Sequence, residues 1–322
     1  MSDAVVPHHT EQTARPAPSP GLLRRAIESD LFYSFRRSRL TMVAAAVTVL
    51  FFLLAIFAPA LSVQNPFDPA QLQLINSRIP PLWEADGQSP YLLGTDEQGR
   101  DVLSAILYGM RVSLLVGVLG VLFSGVLGIV LGLIAGYVGG AIDSLIMRVA
   151  DVQLTFPAIL IALLVNGVAK SVFNNRLDAT SMLAVLVLAI GLSFWVQYAR
   201  TVRGSVMVEK NKDYVAAAQL MGLPAPVIML RHVLPNAMGP VLIIATINLA
   251  LAIITEATLS FLGVGLPDTM PSLGTLIRIG NNYLFSGEWW IIAFPGFALA
   301  ALILSINLLG DWLRDALNPK LR

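Results

Sequence analysis

Cysteine is absent from the 322 residues, which removes disulfide scaffolds, Cys-type zinc sites and thiol nucleophiles from consideration. Histidine is scarce as well: His8, His9 and His232 are scattered and form no ligand cluster, so no metal site is expected. Charge is the third shortage. Asp, Glu, Lys and Arg make up 13% of the chain, against about 25% in a typical soluble domain. The net charge of +1 gives no reason to expect nucleic acid as a partner. No Gly-Lys dipeptide occurs, and with it no phosphate loop of the form Gly-x-x-x-x-Gly-Lys-Ser/Thr, so ATP is not expected to bind this chain.

What is present is apolar length. Hydrophobic residues make up 56% of the chain, and six uncharged runs approach or exceed the roughly 20 residues that cross a hydrocarbon core. They are Leu40–Val63, Val112–Ile142, Val152–Ala169, Ala179–Ala199, Val233–Thr255 and Trp289–Gly310. Backbone polar groups in lipid must be paired within the segment, so the runs are expected to be helices. The second is longer than one span requires, and Pro157 is expected to kink the third. Ala58-Pro59-Ala60 resembles a signal cleavage site, but the polar stretch ahead of it and the length of the apolar run favour a retained helix. The reading is therefore all-α: a polytopic membrane bundle of six transmembrane helices.

Orientation follows from Lys and Arg in the loops. With the N-terminus inside, fifteen of them lie on the cytoplasmic side and six outside, so both termini are expected in the cytoplasm. The layout is then a cytoplasmic tail over 1–39, a first helix over 40–63 and an external segment over 64–111. A five-helix core follows over 112–310 with a cytoplasmic loop at 200–232, then a cytoplasmic tail over 311–322. Residues 1–30, with Pro16, Pro18 and Pro20, read as disordered.

None of the six runs contains an ionisable side chain. Ion-driven carriers and voltage sensors place such groups at membrane depth, and an intramembrane protease needs paired Asp residues or a Ser–His pair there. A secondary carrier, a channel and a membrane enzyme are thus disfavoured. Gly120, Ser124, Gly128, Gly132 and Gly136 repeat every four residues along the second run, a small-residue stripe that lets two helix backbones approach closely. Polar Thr246 and Asn248 in the fifth run face either a partner helix or a wet pathway. Glu256, at its external end, is either a pathway residue or a helix-end charge in water.

The loop between the fourth and fifth runs holds a bounded helix. Asp213 is a plausible N-cap, Ala216 to Met221 are mostly helix formers, Gly222 suits a left-handed C′ position and Pro224 stops continuation. Tyr214, Ala217, Ala218 and Met221 share one face. Such a face packs on lipid or on its own chain, or docks a soluble partner.

That stretch resembles the cytoplasmic signature of ABC-importer permeases, carried here by Ala217, Ala218, Gly222, Leu234 and Pro235; the family often has Glu where this chain has Ala216. Further segments resemble dipeptide and oligopeptide permeases. They are Leu93 to Leu103 with Tyr108, Gly109, Arg111 and Ser113, then Arg231 to Asn236, Leu259 to Gly265, Pro271 to Gly274 and Asn307 to Pro319. The resemblance covers about residues 30–322 and points to the second of two permeases in such systems, with a type I ABC-importer permease fold in a bacterial plasma (inner) membrane. It implies a related permease, two cytoplasmic ATPases carrying ATP and Mg, and an external substrate-binding protein as partners. Membrane lipid surrounds the chain, which has no catalytic, cofactor or metal residues of its own. It implies an ATPase-coupling role for Asp213, Tyr214, Ala217, Ala218, Leu220, Met221, Gly222 and Leu223. Di- or oligopeptides are the expected substrates, with nickel complexes or glutathione as the alternative. Asp96, Arg100 and Asp101 could contact the binding protein or a gate, or form local salt bridges and a helix cap.

Overall fold

The computed structural model describes residues 30–173, 178–267 and 269–317; the tail expected to be disordered lies almost wholly outside them. Among the described residues the fold is helical, and an isolated bridge between Thr95 and Asp101 is the strand-like pairing. Five helices are long and apolar enough to cross a membrane, and a sixth span results if one bent pair counts as a span.

Helix α1 (Asp30–Arg37) leads into α2 (Arg39–Ile56), whose N-cap Ser38 accepts from the Thr41 N–H at 3.2 Å. Phe35 stacks edge-on against Trp312 with ring centroids 5.3 Å apart, pinning α1 to the far end of the chain. The first apolar run is not one helix. It turns at Phe57, and a short α3 (Ala58–Leu61) follows with Pro59 in its first turn, because proline has no N–H to continue the ladder from α2.

α4 (Val102–Val138) begins ten residues before the second run. Arg111 bounds that run in sequence, but Val102, Ala105, Ile106 and Met110 upstream of it are helical and buried in the bundle core, so the end of the expected 64–111 segment is the first part of α4. α4 ends where Gly139 takes φ +72°. A new helix, α5 (Gly140–Leu154), takes over the end of the second run and the start of the third. The chain then breaks by 95° into α6 (Ala158–Val172). Pro157 causes more than a kink: it stands as the N-cap of α6, and its missing N–H and ring exclude a continuous helix.

α7 (Ala179–Glu209) runs beyond the expected end at Ala199, carrying Arg200 and Arg203 in its last turns. Both are paired with α5: Arg203 forks onto Asp143 at 2.5 and 2.6 Å, and Arg200 meets Asp151 at 2.5 Å. α8 (Asp213–Leu220) and α9 (Ala225–Ile228) form the following loop. A π-turn over Met229–Val233 feeds α10 (Leu234–Phe261). α11 (Leu273–Asn281) is a short buried helix, and α12 (Trp290–Ala316) closes the bundle, continuing into the segment expected as the C-terminal tail.

The small-residue stripe of α4 packs on α7. A Cβ at Gly128 would meet the Trp195 carbonyl oxygen and, at 2.5 Å, Tyr198 Cβ; one at Gly132 would meet the Ala199 carbonyl oxygen and, at 2.9 Å, Val202 Cβ. The two helices approach backbone to backbone because no side chain stands between them. The outer faces of the bundle are apolar, as in Leu50, Leu122, Val126, Leu164 and Phe297, which is how helices facing lipid tails are built.

Candidate functional site

The short helix α8 has the expected C-terminus. Gly222 takes φ +74°, its N–H donates to the Gln219 carbonyl at 2.9 Å, and the Leu223 N–H donates to the Ala218 carbonyl at 3.2 Å. This pair of bonds is the Schellman arrangement, which needs a residue able to adopt positive φ at that point. The N-terminus differs from expectation. Asp213 is the first helical residue, not the cap; Lys212 holds the cap position without a side-chain bond. Asp213 contributes instead as a carboxylate in the first turn, where it favours the helix dipole.

The expected apolar face is divided between the chain and its surroundings. Val215 and Ala218 are the buried residues, set against Tyr198, Val202, Val206 and Ile228. Tyr214, Ala217 and Met221 of that face are exposed, as is the neighbouring Leu220, with Leu220 90% and Met221 71% exposed. The burial of Val215 follows from the way α9 and α10 fold back beneath the helix. α8 is anchored by polar contacts at its start. Tyr214 Oη donates to Glu209 Oε2 at 2.6 Å, Lys212 Nζ meets Glu209 Oε1 at 2.6 Å, and Asn236 Nδ2 donates to Tyr214 Oη at 3.1 Å. Desolvation first, and the Glu209 carboxylate second, push the Tyr214 phenol above its ordinary range, so it stays a donor at neutral pH. The strap joins the end of α7, the start of α8 and the first turn of α10.

Glu256 is not a helix-end charge in water. It is fully buried within α10, where Ser113 of α4 donates to Oε2 at 2.7 Å and Ser260 donates to Oε1 at 2.7 Å. Ser272, the N-cap of α11, approaches the same carboxylate, and the Leu273 N–H donates to Ser113 Oγ at 3.3 Å. A buried carboxylate thus sits at the N-terminus of α11, the end that favours negative charge, and ties α4, α10 and α11 together. Sequence reasoning missed Ser260 and Ser272 as partners; the signal available was a carboxylate one residue beyond an apolar run, followed four residues later by Ser260.

Thr246 and Asn248 turn toward their own bundle. Thr246 donates to the Ile243 carbonyl at 2.8 Å and packs against Gly310 of α12. Asn248 is fully buried, beside Tyr198 and Ser124 at the junction of α4, α7 and α10, without meeting strict hydrogen-bond geometry.

Asp96, Arg100 and Asp101 are brought together, and inside. Arg100 is 1% exposed, and its Nε lies 2.6 Å from Asp96 Oδ2. Asp96 Oδ1 accepts from the Gln98 and Arg100 N–H groups, each at 2.9 Å. Asp101 caps α4, taking the Ser104 N–H at 2.8 Å and the Ser104 hydroxyl at 2.6 Å. Burial holds the Asp101 carboxyl above its usual range despite these bonds. The neighbouring Thr95 carbonyl accepts from Trp290 Nε1 at 3.1 Å, so the cluster ties the segment before α4 to α12. Local salt bridging and capping is the role this geometry supports.

Comparison with known proteins agrees with this architecture. Residues 128–322 match the family described as binding-protein-dependent transport system inner membrane component, and residues 29–81 match the N-terminal TM domain of oligopeptide transport permease C. The chain is 36% identical over 307 residues to the di/tripeptide transport system permease protein DppC of Pseudomonas aeruginosa, covering 95% of this chain and 97% of that one. It is 39% identical over 293 residues to the dipeptide transport system permease protein DppC of Escherichia coli K12, covering 91% and 93%. With the oligopeptide transport system permease protein OppC of Bacillus subtilis it shares 35% over 294 residues, covering 91% and 90%. Among solved structures, a chain of the inward-facing MetNI methionine ABC transporter superposes with a TM-score of 0.52 at 17% identity, over 66% of this chain and 96% of that one; this likeness concerns the fold. The chain belongs to the binding-protein-dependent transport system inner membrane components, on the dipeptide and oligopeptide permease branch of that family.

Proposed function

We propose that this chain is one of two permease subunits of an ATP-driven importer that carries di- or oligopeptides across the plasma (inner) membrane, both termini lying in the cytoplasm. A related permease, two cytoplasmic ATPases that bind ATP and Mg, and an external substrate-binding protein complete the assembly. The peptide substrate is supported by the names of the relatives, and the orientation by the fifteen Lys and Arg residues counted on the cytoplasmic side against six outside.

The observation that carries the reading is α8. It is rigidly capped at Gly222 and seated on the bundle through Val215 and Ala218, yet it presents Leu220 and Met221 to its surroundings. An apolar tip held this firmly outside the spans is a surface for a soluble partner. ATP-driven closure of the ATPases would move α8, and the Glu209–Tyr214–Asn236 strap would pass that motion to α7 and α10. Coupling of this kind needs an interface whose affinity differs between the two states.

Affinity purification of the chain from its native membrane, followed by mass spectrometry, tests the proposal. Two phosphate-loop ATPases and a second permease are the expected companions, together with a binding protein whose affinity for peptides can then be measured. Recovery of the chain alone or as a homo-oligomer, across several detergents, would overturn it.

A further inference from the structure

Arg111 lies nine residues into α4, one of the longest membrane helices, and its side chain is exposed. It makes no ion pair or hydrogen bond among the described residues. Beside it runs a groove of about 350 Å³ between α2 and α4, lined by Phe52, Ala55, Ile56, Leu114, Leu115 and Val118. That volume falls in the ~300–1,000 Å³ range of small-molecule sites. Arg111 is the one charged group among the described residues of this otherwise apolar wall.

Its depth is set by α2. Arg39 and Ile56 stand at opposite ends of that helix, roughly 25 Å apart at 1.5 Å per residue. Arg111 therefore sits level with the membrane interface opposite Arg39, where lipid phosphates lie and where a long cationic side chain reaches the headgroup layer. A single uncompensated guanidinium above an apolar groove open to the bilayer matches an amphiphile with a negative head and a hydrocarbon tail. Guanidinium also pairs with phosphate through its planar fork.

We propose that the α2–α4 groove is a binding site for an anionic phospholipid, with an acyl chain along Phe52, Ile56 and Leu115 and the headgroup phosphate on Arg111. The site rests on the chain's placement in a membrane and is independent of what it transports. Because Arg111 carries a charge that no described residue neutralises, a lipid of net negative charge is preferred over a zwitterionic one with the same tails.

Native mass spectrometry of the full-length chain in detergent, titrated with phosphatidylglycerol or with phosphatidylcholine of identical acyl chains, tests this. Phosphatidylglycerol is expected to bind more tightly. R111Q is expected to weaken it roughly fivefold, the effect of about one basic residue at a charged interface, while R111K keeps the preference. L115W, which fills the groove and leaves the charge, is expected to lower binding of both lipids. Equal binding of the two lipids by the native chain, or unchanged phosphatidylglycerol binding in monodisperse R111Q, would overturn the proposal. So would a photo-crosslinker at Leu115 that captures a protein in membranes where lipid adducts are expected.

Discussion

Ser113 Oγ lies 2.7 Å from Glu256 Oε2, joining α4 to α10 across 143 residues of sequence. The same hydroxyl accepts from the Leu273 N–H at 3.3 Å, so one serine links the carboxylate to the start of α11. Three helices meet at this point in the interior of the bundle, and the carboxylate is the acceptor that satisfies two of its hydroxyls.

Removing that acceptor orphans its donors. E256L is expected to lower the melting temperature of the detergent-solubilised chain by more than E256Q, which keeps an amide oxygen in place. A buried donor left without a partner costs about 1–3 kcal/mol, although a hydrogen bond between membrane helices averages only ~0.6 kcal/mol. A melting curve followed by size-exclusion chromatography reads the difference. If E256L melts with the native chain, the cluster does not hold the three helices together.

Gly222 offers a test of α8 that steric clash does not confuse, since a Cβ there would meet nothing within 4 Å. G222V must hold a β-branched side chain at φ +74°, at roughly 1–2 kcal/mol, and the Schellman bonds are expected to open. Asn tolerates that conformation, so G222N is expected to behave nearly as the native chain. In reconstituted complexes, stimulation of ATP hydrolysis by the binding protein should fall in G222V and persist in G222N. Unchanged stimulation in G222V would argue that the shape of α8 does not matter to coupling.

The outward tip of α8 separates docking from folding. Leu220 and Met221 are 90% and 71% exposed, so L220D and M221E are expected to leave expression and melting within about 0.5 kcal/mol of native stability, as surface changes do. Recovery of the ATPases with the tagged chain should drop sharply in both. Full recovery with both charges present would place the partner elsewhere.

The α4–α7 contact predicts a contrast among glycines. G128V and G132V drive a side chain into α7 backbone atoms that cannot yield, and overpacking of a tight core costs about 1–3 kcal/mol. Gly204 and Gly239, also in long helices, have open space where a Cβ would stand, with nothing within 4 Å of it, so G204A and G239A are expected to cost nothing in melting assays and to gain up to about 1 kcal/mol of helix propensity. Comparable losses at all four positions would mean that the stripe has no special role.

Helix existence is legible in this chain because a membrane span is a property of run length: five of the apolar runs fall on helices long enough to span, and the third falls on a pair bent by 95° at Pro157. Helix ends are not, because a charge ends an uncharged run without ending the helix. Arg111 sits inside α4 at an exposed position, Arg203 continues α7 by pairing with Asp143, and Glu256 continues α10 by taking the Ser113 and Ser260 hydroxyls. Each charge is accommodated by a tertiary partner or a location that one-dimensional hydropathy cannot register. The Gly222 terminus is legible because a left-handed residue is a local requirement. The buried side of α8 is not, since Val215 is covered by segments that fold back from further along the chain.

Arg100 separates a scaffold from a docking residue. Its guanidinium is 1% exposed and rests on Asp96 at 2.6 Å, and removing one partner of a buried pair costs about 3–5 kcal/mol because the other charge is left stranded. R100A is therefore expected to lower the melting temperature and the yield of the chain. Any loss of uptake should follow the amount of folded protein. A residue that touches the binding protein would behave differently: folded R100A would accumulate normally, and only stimulation by the binding protein would fail. Measuring melting, membrane abundance and stimulated ATP hydrolysis on the same preparation distinguishes the two. D96N adds a second reading, since an amide oxygen can still accept from the Gln98 and Arg100 N–H groups while Arg100 loses the nearer of two carboxylates, Glu97 Oε1 staying at 3.8 Å. It should fall between the native chain and R100A.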